Sequence, residues 1–182
     1  MWIIIGIIAV LLIIWFVASY NGFITLKNKV EEAFSTMDVY LKKRYDLVPN
    51  LVETVKGYAA HESKTLGDVV AARAGAMGAK TIDDKIANEN IFRETLKTLF
   101  AVAENYPDLK ANQNFLDLQS QLQRLEDEIA SSRKYYNAVV KEYNTKTEKF
   151  PSNIIAGIFR FERKPMFEVS DANQRENVQV KF

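Results

Sequence analysis

From Met1 to Tyr20 (MWIIIGIIAVLLIIWFVASY) no position carries a charge. At ~1.5 Å per residue, a helix of this length measures ~30 Å, the thickness of a bilayer's hydrocarbon core. Trp2 stands near one end, and Trp15, Phe16 and Tyr20 lie toward the other. Aromatic rings favour those interface levels. The pattern predicts a transmembrane helix over residues 1–21. A cleaved signal peptide fits less well: no Lys or Arg precedes the apolar run, the run exceeds the usual length, and Val17-Ala18-Ser19 only weakly resembles a cleavage site. Lys27 and Lys29 follow the span, then Lys42, Lys43 and Arg44, and no basic residue precedes it. The positive-inside rule predicts an external N-terminus and a cytoplasmic C-terminal domain.

Beyond the span, apolar residues recur at helical spacing. Phe115, Leu118, Leu122, Leu125, Ile129, Ser132, Tyr136, Val139 and Tyr143 follow alternating steps of three and four, a heptad seam that predicts a helix over roughly 112–149. Pro151 ends it, and Asn112 or Asn114 suits its start. Ile86, Phe92, Leu96, Leu99, Phe100 and Ala103 form one face of a helix over about 82–106. Thr81 and Asp84 have the spacing of a capping box at its start, and Tyr106-Pro107-Asp108 closes it. The stretch 22–77 carries two stripes. Leu26, Val30, Ala33, Phe34, Met37 and Leu41 form one; Leu51, Val52, Val55, Tyr58 and Ala59 form the other. Pro49 stands between them. It either kinks one very long helix or opens a new one after a turn. Length matching favours the turn, because an unbroken rod has no partner of its own length. The fold class is therefore all-α: a transmembrane helix followed by an antiparallel helical bundle over 22–149. Four helices are favoured, and three with a kinked long first helix are the alternative. In the four-helix arrangement the loop near Gly78 lies at the bilayer. The turns at Asp46–Pro49 and Tyr106–Asn112 lie at the far tip.

Residues 150–165 form an apolar segment that emerges at membrane level, flanked by Arg160, Arg163 and Lys164. It reads either as a cap on the open end of the bundle or as an interfacial element on headgroups or a partner's helix. Ile154, Ile155, Ile158, Phe159 and Phe161 are its candidate membrane-contact residues. The tail 166–182 is polar and reads as loose, with a strand-like alternation over Val178–Phe182.

Composition narrows the chemistry. The 182 residues contain no Cys and one His, so thiolate nucleophiles, Cys-based metal sites, cysteine-borne lipid and histidine-rich sites are excluded. Twenty-four basic against twenty-three acidic residues leave a net charge of +1, with no global field to collect nucleic acid. His61-Glu62 begins an HExxH pattern, but Thr65 stands where the second histidine belongs, and one His cannot build a di-iron bundle. Phosphate-binding glycine motifs are absent. Glu126, Asp127 and Glu128 read as solvated, and Lys42-Lys43-Arg44 as a solvated basic face. No cofactor, metal or catalytic residue is assigned, and the chain is expected not to be an enzyme.

Four blocks carry a family signature. The run Leu41–Glu62 (LKKRYDLVPNLVETVKGYAAHE) resembles the hallmark segment of LemA proteins, as do Glu104–Asn112, Arg133–Asn137 and Phe150–Ala156. The resemblance covers almost the whole chain. It implies a bacterial membrane protein with one N-terminal helix, a short external N-terminus, a helical-bundle domain inside the cell, and no established enzymatic activity.

The expectation for function is a membrane-anchored interaction or scaffold protein. Its partners would be the lipid bilayer and other membrane proteins or further copies of itself, not nucleic acid. Arg44, Asp46, Pro49, Asn50, Tyr106, Pro107 and Asp108 form its candidate partner surface. Turn and capping chemistry accounts for the same residues equally well. The rival is a membrane-tethered sensor or regulatory domain that binds a small ligand between helices.

Overall fold

The computed structural model describes residues 1–167, and every regular element among them is an α-helix. These are α1 (Trp2–Lys56), α2 (Ser63–Gly78), α3 (Ile82–Ala103), α4 (Pro107–Lys110), α5 (Gln113–Glu148) and α6 (Ser152–Phe159). The polar tail and its strand-like end lie outside the described residues beyond Phe167.

The largest departure from expectation is α1, which passes through Pro49 without a break. Two features explain this. Phe23, Leu26, Val30, Ala33, Met37, Leu41, Arg44, Val48, Leu51 and Val55 are all buried, so one seam in steps of three and four runs through the proline without losing phase. Secondly, proline has no N–H for the carbonyl four residues back, which is Tyr45. Arg73 on α2 fills the gap: its Nε donates to the Tyr45 carbonyl oxygen at 2.7 Å. The turn falls instead at residues 57–62, where Ala59 N bonds the Val55 carbonyl at 2.8 Å. The expected break at Pro49 is absent, and the described residues form six helices where the sequence favours four.

The chain divides into two compact units. The first is Met1–Asp38 with Ala130–Met166; the second is Val39–Ile129, joined among the described residues by Phe167.

In the first unit, the early part of α1, the later part of α5 and α6 pack around Phe23, Leu26, Val30, Tyr136, Val140, Tyr143 and Ile155, all buried. Phe161 stacks on Phe23 with centroids 4.7 Å apart and planes 13° from parallel. Arg160 adopts a left-handed backbone (φ 56°) at the end of α6, and the following Phe161 N–H bonds the Ala156 carbonyl at 2.9 Å. The chain thereby reverses into an extended strap. Asn144 holds the strap by both halves of its amide: Nδ2 donates to the Lys164 carbonyl at 2.9 Å and Oδ1 accepts from Lys164 N–H at 2.8 Å. The Tyr136 hydroxyl donates to the Pro165 carbonyl at 2.9 Å.

In the second unit, α2 and α3 form an antiparallel pair that packs with the later part of α1 and the start of α5. The Thr81 side chain caps α3 by accepting from Asp84 N–H at 3.0 Å, as the Thr81–Asp84 spacing predicts. Pro107 opens the single turn of α4, and Asn112 caps α5 through Oδ1, which accepts from Phe115 N–H at 3.0 Å. Such caps contribute about 1 kcal/mol each.

Candidate functional site

Two places carry functional interest, one in each unit. The first is the end of the first unit that adjoins the apolar span. Residues 2–17 of α1 have exposed apolar side chains throughout, as a helix surrounded by lipid requires. At the end of the apolar run nearer the rest of the first unit, α6 lies alongside α1. Phe159 meets Tyr20 at 4.7 Å and Phe16 at 5.9 Å between ring centroids, and Phe161 meets Tyr20 at 5.9 Å. The candidate membrane-contact residues divide here. Ile155 is fully buried and Phe161 half-buried, so these two pack inward as a cap. Ile154, Ile158 and Phe159 remain 50%, 60% and 43% exposed, beside rings that sit at the edge of the span. The segment is thus an amphipathic helix that seals the first unit and turns isoleucines outward.

The second place surrounds Arg44. Its side chain has no solvent exposure, and its two terminal nitrogens serve different carboxylates: one binds Glu89, the other Glu126. The Tyr45 hydroxyl donates to the other oxygen of Glu89. The Phe92 ring lies 5.0 Å from the guanidinium carbon. Burial works against the charged guanidinium, but Glu89 and then Glu126 outweigh it and hold Arg44 above its already high ordinary value. Glu89 is fully buried, whereas the Glu126 side chain is 34% exposed and lines a groove of about 380 Å³ with Arg93, Lys97 and Gln123. Arg44 therefore ties three helices, α1, α3 and α5, at one level. A buried ion pair gains little net stability over apolar packing but specifies the partners that must meet.

Burial removes Arg44 from the candidate partner surface, and the sequence contains the reason. Arg44 occupies a seam position of α1, three residues after Leu41 and four before Val48. Glu89 likewise continues the buried series Phe92, Leu96, Leu99 and Ala103 backward by three. The gap between Ile86 and Phe92 in the apolar face of α3 was the available signal for Glu89. Asp46, Pro49, Asn50, Pro107 and Asp108 are exposed and Tyr106 is half-buried. Asp46, Pro49 and Asn50 lie within α1, with Asp46 bonded to Lys42 at 2.9 Å, and they form no turn with Tyr106. The residues that meet Tyr106 and Asn112 come from the 57–62 turn. Tyr106 donates to Glu62 at 3.0 Å, and Asn112 Nδ2 donates to the Tyr58 hydroxyl at 2.9 Å. The bond to Glu62 holds the Tyr106 phenol above its ordinary range. His61 is exposed in that turn, and among the described residues no three His, Asp or Glu side chains are grouped to hold a metal ion.

The chain is similar in sequence to known proteins. Magnetosome protein MamQ 2 of Paramagnetospirillum magneticum is 28% identical over 196 residues, covering 91% of this chain and 72% of that protein. Magnetosome protein MamQ of Magnetospirillum gryphiswaldense is 27% identical over 179 residues, covering 84% and 66% respectively. Protein LemA of Metamycoplasma hominis is 24% identical over 160 residues, covering 86% and 72%. None of these names denotes an enzyme. The LemA family profile matches residues 33–182, and the chain belongs to the LemA family.

Proposed function

We propose that this LemA-family chain is a membrane-anchored, non-enzymatic interaction protein. Its first twenty residues cross the bilayer with the N-terminus outside, and its helical domain lies in the cytoplasm. One observation carries the reading: a helix with no charge from Met1 to Tyr20 continues without a break into the buried seam of the domain. The apolar run and the first unit share a helix, so that unit is joined to the anchor without a linker. The exposed side chains of Ile154, Ile158 and Phe159 rest at the interface, and partners or further copies approach the exposed Asp46, Pro49, Asn50, Pro107 and Asp108.

Topology is directly testable, because the chain has no cysteine of its own. Single cysteines placed ahead of Trp2 and at Asp108 are labelled in whole cells with a membrane-impermeant maleimide. Labelling ahead of Trp2 alone is expected; labelling at Asp108 reverses the orientation. The complex extracted in mild detergent is expected to exceed the monomer mass of 20.8 kDa plus its detergent. A strict monomer with no retained protein argues against the scaffold role.

One observation favours a second reading, a regulatory domain for a small ligand. Glu126 is partly exposed in its groove while it binds the buried Arg44. A cationic solute in that groove would compete for Glu126 and loosen the tie between helices.

A further inference from the structure

Between α1 and α5 in the first unit runs a groove of about 720 Å³ that includes Gly22, Lys29, Lys141, Glu142, Lys146 and Lys149. We infer that this groove binds the phosphate of an anionic phospholipid headgroup, held by the four lysine ammoniums at the inner end of the span. The inference rests on the proposed anchoring of α1 in the bilayer.

Three observations support it. The first is pairing. Lys27, Lys42, Lys56, Lys97 and Lys110 each have a carboxylate oxygen within 4.0 Å. Among the described residues, Lys29, Lys141, Lys146 and Lys149 have none; Lys43, Lys64, Lys80, Lys134 and Lys164 also have none, but only the first four line one depression, with a single acidic residue, Glu142. Four lysines against one glutamate along one groove give it a net positive charge, which suits an anion better than a self-neutralised face would.

The second is the seat of Lys146. A Cβ on Gly22 would lie 2.0 Å from the Lys146 ammonium, so the missing side chain at Gly22 makes the room that the ammonium occupies. The ammonium also sits 4.9 Å from the centre of the Phe23 ring. Partial burial lowers its pKa below the ordinary value of 10.5, with Glu142 acting in the opposite sense. An ammonium held this way lacks part of its hydration, and a phosphate oxygen would replace it.

The third is level. Gly22 is two residues past Tyr20, and Lys29 lies within about 14 Å of Tyr20 along the helix, which a lysine stem covers in part by leaning toward the helix N-terminus. Headgroup phosphates lie just outside the hydrocarbon core. Ammoniums at this height meet lipid phosphate at a far higher local concentration than any soluble anion, and clustered lysines beside a span are the usual mark of anionic-lipid contact.

The test uses the full chain in nanodiscs of phosphatidylcholine alone or mixed equally with phosphatidylglycerol, with retained lipids counted by native mass spectrometry. From the mixed discs the protein is expected to retain phosphatidylglycerol over phosphatidylcholine by about fivefold or more. A K29Q/K141Q/K146Q/K149Q variant is expected to retain both equally while keeping the helical circular dichroism of the parent. Gly22→Ala, which favours the helix but displaces the ammonium, is expected to give an intermediate preference. A charge-matched control, K27Q/K56Q/K97Q/K110Q, is expected to keep the parent's preference. Equal retention by the parent, or loss of preference in the control as large as in the groove variant, overturns the inference. So does displacement of the retained lipid by millimolar inorganic phosphate, which would mark a site for a soluble anion. Incorporation into phosphatidylcholine discs separately reports the anchor: a chain that enters them without headgroup preference sinks the lipid site alone, and one that enters neither disc sinks the anchor too.

Discussion

The Arg73 Nε lies 2.7 Å from the carbonyl oxygen of Tyr45, in the place of the N–H that Pro49 lacks. A side chain on α2 thus completes the hydrogen-bond ladder of α1, and the proline survives inside a 55-residue helix. The two features should be coupled. Arg73→Ala leaves the part-buried carbonyl without this donor and is expected to cost about 1–3 kcal/mol. In a Pro49→Ala background the backbone N–H returns, and the same substitution should cost under about 1 kcal/mol. Thermal melts of the four proteins, followed by circular dichroism, measure the coupling. Additive losses would show that Arg73 acts for some other reason.

Arg44 cannot be replaced by another cation. Arg44→Lys keeps the charge, but a single ammonium cannot present two separate nitrogens to Glu89 and Glu126 while lying on Phe92. A loss of about 1–3 kcal/mol is expected. Arg44→Met removes the positive charge facing the buried Glu89 and should cost about 3–5 kcal/mol. Denaturant midpoints of purified protein rank the two; a lysine variant as stable as the parent would contradict the bridging role.

Asn112 has two tasks that substitution separates. Asn112→Asp keeps an oxygen for the Phe115 N–H but loses the donor to Tyr58; Asn112→Ala loses both. The alanine variant is expected to lose about 1 kcal/mol or somewhat more, and the aspartate variant to lose less, because an acidic cap also suits the helix N-terminus.

Tyr143 links stability to alkaline pH. Burial, and then the Glu162 charge, raise its phenol above the ordinary 10.0. A folded-state value above the unfolded one means the neutral phenol's contribution is intact below about pH 10 and fades as pH climbs through the raised value. Alkaline unfolding followed by tyrosinate absorbance should therefore lag behind that of exposed tyrosines. Tyr143→Phe should flatten the loss of stability above pH 10, and an unchanged profile would remove Tyr143 from the cause.

The sequence pattern identified an apolar N-terminal helix, the cap of α3 at Thr81, and α5 to within a residue or so at each end, because each of these rests on local periodicity or local capping. It misplaced the first turn of the domain because the donor that rescues the Tyr45 carbonyl sits on another helix, twenty-eight residues away. The phase of the seam offered a correction: Leu41, Val48, Leu51 and Val55 keep step across Pro49 once Arg44 is admitted as a seam residue. Charged side chains are normally excluded from such a series, and for that reason Arg44 reads as surface and its partner Glu126 as solvated. A buried charge reveals itself only when its counter-charge is located, and the carboxylates lie forty-five and eighty-two positions farther along. The division of the 150–165 segment into inward Ile155 and outward Ile154 and Ile158 was similarly hidden, since a run of adjacent apolar residues does not announce which of them turns inward.

Asn144 holds Lys164 through the peptide group alone, one bond to its N–H and one to its carbonyl. An amide side chain here imitates the edge of a neighbouring strand, and a chain of helices acquires one rung of sheet-like pairing without owning a strand. The grip does not read the side chain of the residue it holds. Position 164 is therefore free to change its side chain to anything but proline, which has no N–H, while position 144 is confined to a group that offers a donor and an acceptor at the same reach: aspartate would give up the bond to the carbonyl, and leucine both.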